Sequence, residues 1–309
     1  MSRAMRLHIR GFTLIEFMVA IALGLFVTTI VIRGFAATSA AAGTNSAVAE
    51  SNTNGRHALE ELKREVRHAV MQRMVWDPSQ VVDGDGTLAA TDYGCGVGFV
   101  TGKGGLTGAN DTNPYAASCL ATAHDREYAR GDVLVLRRPS RVPATSFDIG
   151  APYVRTAYGA ASVFIGTTPT SAPLLPEPHF DFRMVNDVYF VNSFTNDRNE
   201  TPRVPALYRL TLSSGDNPQF KPELVAANVE HFQIQYAVAD PGGNVRYYSA
   251  NDVTDWPAVK MVRIWLLVRE STPEAGFVSE TYVLGDVTYT PGDNFRRTVY
   301  SSVIAIRNS

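Results

Sequence analysis

From Phe12 to Ile32 the chain reads FTLIEFMVAIALGLFVTTIVI, an apolar run broken only by Glu16. At ~1.5 Å rise per residue, a helix of that length covers about 30 Å, the hydrocarbon thickness of a bilayer. The run therefore predicts a membrane-spanning helix. Ahead of it, MSRAMRLHIRG carries Arg3, Arg6 and Arg10 and no acid. A basic flank stays on the cytoplasmic side, which places everything after Arg33 outside that membrane, in a bacterium the periplasm or beyond. An ordinary secretory signal is the competing reading, with Ala36, Ala37 and Ser39 as a small-residue cleavage site. Such signals have a shorter apolar core that contains no acid.

Beyond Arg33 no proline occurs until Pro78, so the helix is expected to continue. Leu59, Leu62, Val66, Ala69 or Val70 and Met74 recur at spacings of three and four. They form one apolar stripe, with Glu60, Lys63, Arg64 and Arg67 facing away. The stretch from Ala36 to Asn54 is poor in large side chains and contains Gly43, with Gly55 just beyond, so bending or partial melting is expected there. From Asp77 to about Ala129 the period is broken by Asp83-Gly84-Asp85-Gly86, Gly102-Lys103-Gly104-Gly105 and Asn113-Pro114. Strand-like patterns then follow in DVLVLRR, DVYFV, ALYRLTL and VEHFQIQYAV. In the last, Phe232, Ile234, Tyr236 and Val238 alternate with His231, Gln233, Gln235 and Ala237, the period of a sheet with one buried face. Asp240-Pro241-Gly242-Gly243-Asn244 signals a turn before NVRYYS, and VKMVRIWLLVRE and RRTVYSSVIAIRN supply further strands. The expected architecture is α+β, a long N-terminal helix packed on one antiparallel β-sheet. Residues 139–181 read as irregular elaboration with short strands.

Glu16 needs a physical reason, because a lone carboxylate in hydrocarbon costs several kcal/mol unless it is paired, protonated or interfacial. One account is an interfacial acid near a helix start, favoured by the helix dipole. Another is pairing: were the chain cut after Gly11, Phe12 would carry a new amino terminus. A glutamate at the fifth position could then meet that charge on a neighbouring copy and set register between packed helices. The run Arg10-Gly11-Phe12-Thr13-Leu14-Ile15-Glu16, with its basic leader and apolar sequel, resembles the class III signal of type IV prepilins and type II secretion pseudopilins. The resemblance implies cleavage after Gly11 by the prepilin peptidase, N-methylation of Phe12, and an assembly role for Glu16.

Three further stretches, LVAANVEHFQIQYAV, ANDVTDWPAVKMVRIWLLVRE and RRTVYSSVIAIRN, resemble the large minor pilins of the PilW type, and GDVLVLRR fits with them. What this implies is a type IV pilin-like fold with a leader (1–11), a membrane and filament-core half-helix (12–32), an amphipathic half-helix (33–76) and a periplasmic β-rich domain (77–309). It also implies a subunit of the type IV pilus that primes assembly and sits at the tip with other minor pilins, held first in the inner membrane and later at the cell surface. Its implied partners are the prepilin peptidase, the assembly platform, the major pilin and a large tip adhesin, with adhesion and twitching motility depending on it. A large minor pseudopilin of type II secretion shares the same N-terminus and remains the related alternative. Residues 77–128 and 139–181 match no pattern of the family.

Cys95 and Cys119 are the only cysteines, and an even count in an oxidising compartment makes one disulfide the expectation, closing a surface excursion. The remaining composition excludes more than it suggests. The 28 Lys and Arg against 30 Asp and Glu give no basic stripe for phosphates, and loss of the leader removes three arginines, leaving 25 against 30. No direct nucleic-acid binding is expected. The six histidines, His8, His57, His68, His124, His179 and His231, are scattered without zinc spacing. Gly102-Lys103-Gly104-Gly105 lacks phosphate-loop spacing, and no nucleophile elbow occurs. Asp83-Gly84-Asp85-Gly86-Thr87 departs from a calcium loop at Thr87 and reads as an exposed turn. Tyr247, Tyr248, Trp256 and Trp265 read as sheet-face packing rather than a binding stripe. Neither an enzyme nor a cofactor is expected; a membrane-anchored adhesin or periplasmic enzyme is the competing class.

Overall fold

The computed structural model describes residues 13–69, 81–83, 92–96, 99–100, 105–120, 126–167, 172–195, 197, 199–239 and 242–306. The chain divides into two compact units, residues 1–49 and 50–309. One helix, α1 (Leu14–Arg67), contributes to both. It is helical throughout, so the melting expected between Ala36 and Asn54 does not occur. Each glycine costs a helix about 1 kcal/mol, but alanines are the strongest helix formers and abound beside Gly43. The helix ends at Arg67, short of the expected residue 76, and Val70 and Met74 lie outside the described residues.

From Phe17 to Ile32 the helix is apolar on every side, which suits a helix surrounded by lipid. Thr28 and Thr29 return their hydroxyls to the carbonyls of Gly24 and Leu25 at 2.7 and 2.8 Å, so neither polar group is left unsatisfied there.

The second unit is β-rich. Strands β1 (Val81–Asp83), β2 (Leu106–Ala109), β3 (Tyr128–Pro139), β4 (Pro152–Ala157), β5 (Ala160–Ile165), β6 (His179–Asn192), β7 (Ala206–Leu212) and β8 (Phe220–Ala227) make an eight-stranded sheet. Its main order is β1-β5-β4-β6-β3-β2, with β7 on β6 and β8 on β7. The first part of β6 pairs with β4 and the last with β7, so the sheet branches there. The remaining strands are β9 (Val229–Ala239), β10 (Val245–Tyr248), β11 (Val259–Arg269), β12 (Tyr282–Leu284), β13 (Val287–Tyr289) and β14 (Arg297–Ala305). They form a four-stranded antiparallel sheet, β10-β9-β11-β14, and a separate β12-β13 hairpin. Among the described residues the single sheet expected from the sequence is three, antiparallel except for the β1-β5 pair. Residues 139–181 do supply short strands, and β4 and β5 extend the large sheet.

The main core joins helix, four-stranded sheet and large sheet. Ala58, Leu59, Leu62, Val66 and Ala69 of α1 meet Phe232, Ile234, Tyr236, Val262, Ile264 and Leu266 from one sheet and Leu134, Leu136, Tyr189 and Val191 from the other. Each fully buried Leu or Val stabilises the fold by about 1.5–3 kcal/mol relative to exposure. Gly55 permits the contact of α1 with β14: a Cβ there would lie 2.6 Å from Cδ2 of the Tyr300 ring. The opposite face of the large sheet carries Val133, Val135, Val188, Phe190, Tyr208 and Leu210 in a second core, under Tyr93, Phe99, Val100, Cys119 and Leu120. Burial on both faces explains why DVLVL and DVYFV read as continuous apolar runs.

This arrangement corrects two expectations. The cysteine loop is more than a surface excursion: among its described residues Cys95, Phe99, Val100, Ala109 and Cys119 are buried in the second core. Nor does β9 have a solvated face. His231 and Gln233 are buried beneath β12-β13, where the Tyr289 ring lies tilted at 5.4 Å from the His231 ring and Asp286 accepts from Gln233 Nε2 at 3.2 Å. Trp265 is buried with Leu284 of the same hairpin, and Trp256 meets Tyr236 edge-on at 4.9 Å.

Candidate assembly segment and charged clusters

Gly11 and Phe12 lie outside the described residues. Glu16 stands in the first turn of α1 and closes a reciprocal cap with Thr13. Its Oε2 accepts from Thr13 N at 2.9 Å and from Thr13 Oγ1 at 2.8 Å, while Glu16 N donates to that hydroxyl at 3.3 Å. Thr-x-x-Glu is a capping box, so this carboxylate satisfies donors that a helix start otherwise leaves open. The capping role was legible only as a favourable dipole position; the Thr13 spacing was the signal that named the partner. Every residue from Leu14 to Phe35 is exposed, and α1 holds a stretch long and apolar enough to cross a membrane.

In the second unit Cys95 and Cys119 form a disulfide, with Cα atoms 4.5 Å apart. Phe99, inside the closed loop, lies edge-on to Tyr115 and Phe220 at 5.3 Å each, under the Arg137 guanidinium at 5.0 Å. Arg137 is itself buried, donates to Phe99 O at 2.8 Å and Thr107 Oγ1 at 3.1 Å, and burial pulls its pKa down to about 10.

Charged pairs tie the last turns of α1 to the large sheet. Glu65 is buried and meets Arg138 at 2.7 Å and Arg64 at 3.2 Å. Burial alone would raise its pKa, but the two arginines outweigh it and hold it below the usual value. Glu61 pairs with Arg209 at 3.0 Å, and Arg209 with Glu223 at 2.6 Å. A cleft of about 250 Å³ opens beside them, lined by His57, Glu61, Arg64, Arg209 and Glu223. Its acids and arginines neutralise one another. Sequence reading missed these pairs because Glu61 and Glu65 border the apolar stripe; Arg209, the lone charge in ALYRLTL, was the available signal.

A second cluster lies where β9 and β14 begin. Arg297, with its side chain wholly buried, meets Glu230 and, at 2.6 Å, Asp293, whose pKa its hydrogen bonds pull down to about 2. Beside it burial pulls His231 down to about 4, helped by Arg130. Asp132 accepts from Asp111 N at 3.0 Å and Ile234 N at 2.7 Å, and burial, reinforced by Asp111 and Asp286, raises it to about 8. Among the described residues no group of three or more His, Cys, Asp or Glu is placed to hold a metal. His57 and His68 are exposed, His179 half-buried, and His8, His124 and the loop 84–90 lie outside the described residues.

Comparison with known proteins adds to this geometry. Residues 6–32 match the Prokaryotic N-terminal methylation motif, and residues 188–308 match the family described as Type IV Pilus-assembly protein W. Among solved structures, a type IV-like pilin from Thermus thermophilus is similar at 13% identity over 57% of this chain and 78% of that one, with a TM-score of 0.28. No curated protein sequence matches. A methylation motif leading into a long exposed apolar helix, followed by an antiparallel-rich β domain, defines a type IV pilin-like protein. Within that class, the stretch running from the end of β6 through β14 is similar to the PilW family of pilus-assembly proteins.

Proposed function

We propose that the chain is cut after Gly11, methylated at Phe12 and moved from the inner membrane into a type IV pilus, where it helps to start assembly near the tip. The observation that carries this reading is the exposed apolar half of α1, which opens with Glu16 and lies within the match to the methylation motif. In lipid that surface faces hydrocarbon, and in a filament it faces neighbouring helices, so the environment changes little and insertion is reversible. On insertion the Glu16 carboxylate exchanges its Thr13 partners for the amino terminus of a neighbouring subunit and fixes register. The β domain, held in the periplasm before insertion, contacts other minor pilins, the major pilin and a tip adhesin. The assembly platform drives insertion.

The test is mass spectrometry of the protein from membranes of cells with and without prepilin peptidase, alongside sheared filaments. The expected result is a methylated Phe12 terminus that depends on the peptidase, with trace subunit in the filaments. An intact leader in peptidase-positive cells, or cleavage beyond Ile32, would sink the proposal. Glu16→Ala should leave processing intact and reduce recovery in sheared filaments at least tenfold.

A further inference from the structure

Open sheets expose unpaired backbone groups at their edges, and most proteins blunt those edges with short strands, charges, proline or bulges. The described edges follow that rule with one exception. β1 has three residues and β2 four. β8 carries Lys221, Pro222 and Glu223, and β10 is four residues long with Arg246 in it. β14 is nine residues long, contains no proline, and has no charge from Thr298 to Ala305. Its ladder with β11 runs without a register shift, so no bulge bends it away.

The direction of its free groups follows from the two ends of that ladder. Glu270 N donates to Arg296 O, and Ile306 N donates to Lys260 O, both at 2.9 Å. Even-numbered residues of β14 therefore turn their backbone groups toward β11, and odd-numbered ones turn theirs outward. The outward set is Val299, Ser301, Val303 and Ala305, all exposed, with Val299 at 38% and Val303 at 52%. Tyr300 and Ile304, on the other face, are held against α1 and the main core.

We propose that β14 pairs antiparallel with β14 of a second copy of this chain, about a two-fold axis through Ser301. The occupant follows from the residues themselves. Outward positions read Val299, Ser301, Val303, symmetric about the serine. A two-fold pair sets each Val299 opposite the partner copy's β14 at position 303, Ser301 opposite its equivalent, and Arg297 opposite the uncharged position 305. No like charges meet, and the two most exposed valines of the strand become cross-strand pairs. An isologous contact of this kind closes on itself and unites two four-stranded sheets into one.

Single cysteines report the register directly, because a hydrogen-bonded antiparallel pair has Cα atoms about 5.5 Å apart, within disulfide reach. Full-length chain in membranes is oxidised and run on a non-reducing gel. Ser301→Cys should give a disulfide-linked homodimer as the main species, and Thr298→Cys at least tenfold less. Adding Val303→Pro to Ser301→Cys removes an outward N–H without touching the β11 ladder, and should abolish the dimer while leaving the fold intact by circular dichroism. A Ser301→Cys chain that stays monomeric, links equally from position 298, or links to a different protein identified by mass spectrometry would overturn the proposal.

Discussion

Phe99→Ala probes whether the cysteine loop is a structural cover. Phe99 is 6% exposed, although it stands in a stretch whose glycines and polar residues read as surface loop. Its ring touches Tyr115, Phe220 and the buried guanidinium of Arg137. Truncation removes the transfer free energy of a phenyl ring, leaves a cavity against the large sheet, and strips one face from a buried cation. Phe→Ala changes at such sites cost about 3–5 kcal/mol. The hydrogen bond from the Arg137 side-chain Nε to the backbone carbonyl of residue 99 persists, so the figure reflects the phenyl side chain alone. Urea unfolding of the full-length chain in detergent, followed by near-ultraviolet circular dichroism and by fluorescence of Trp256 and Trp265, should show a midpoint lowered by about 1–2 M at unchanged slope, for a slope of about 2–3 kcal/mol/M. A mobile surface loop would give a change within about 0.5 kcal/mol. That outcome would refute the assignment of Phe99 and its described neighbours to the second core.

Three other perturbations follow from the same packing. Replacing Cys95 and Cys119 by alanine opens a loop with a sequence separation of 24 and should cost about 3.5 kcal/mol in the chain-entropy account, read as the difference in urea stability from the oxidised parent. Arg297→Met leaves buried Glu230 without its main partner and should cost about 3–5 kcal/mol, whereas adding Glu230→Met should restore a large part of it; an equal loss in single and double variants would contradict the pair. His231, lowered from 6.5 to about 4, is neutral in the fold, so the unfolded chain takes up its proton first as pH falls. Its stabilisation is complete above pH 6.5 and is lost on the way down to pH 4, amounting to roughly 3 kcal/mol in all. His231→Gln should flatten that part of the stability–pH curve, while Asp132, raised to about 8, imposes the opposite slope between pH 4 and 8 in both proteins.

The sequence by itself determined the elements whose signals are local. The apolar run, the motif around Glu16, the apolar stripe through Leu59, Leu62 and Val66, and the strands β3, β6, β7, β9, β10, β11 and β14 are written as period and composition, and the cysteine count pointed to a disulfide. Tertiary structure decided what those elements face. Periodicity states that His231 and Gln233 share one side of β9, but only the arrival of β12-β13 some fifty residues later turns that side into an interior. Glycine-rich stretches and Asn113-Pro114 made the chain from Asp77 to about Ala129 read as loop, because no local pattern reveals that Phe99 and Leu120 will land on the back of β3, β6 and β7. The same holds for charge. Glu65 and Arg138 stand far apart in the chain, and burial makes them partners only when helix and sheet close over both. Local sequence fixes backbone preference over a few residues, whereas burial, pairing and edge exposure are properties of surfaces brought together from distant parts of the chain.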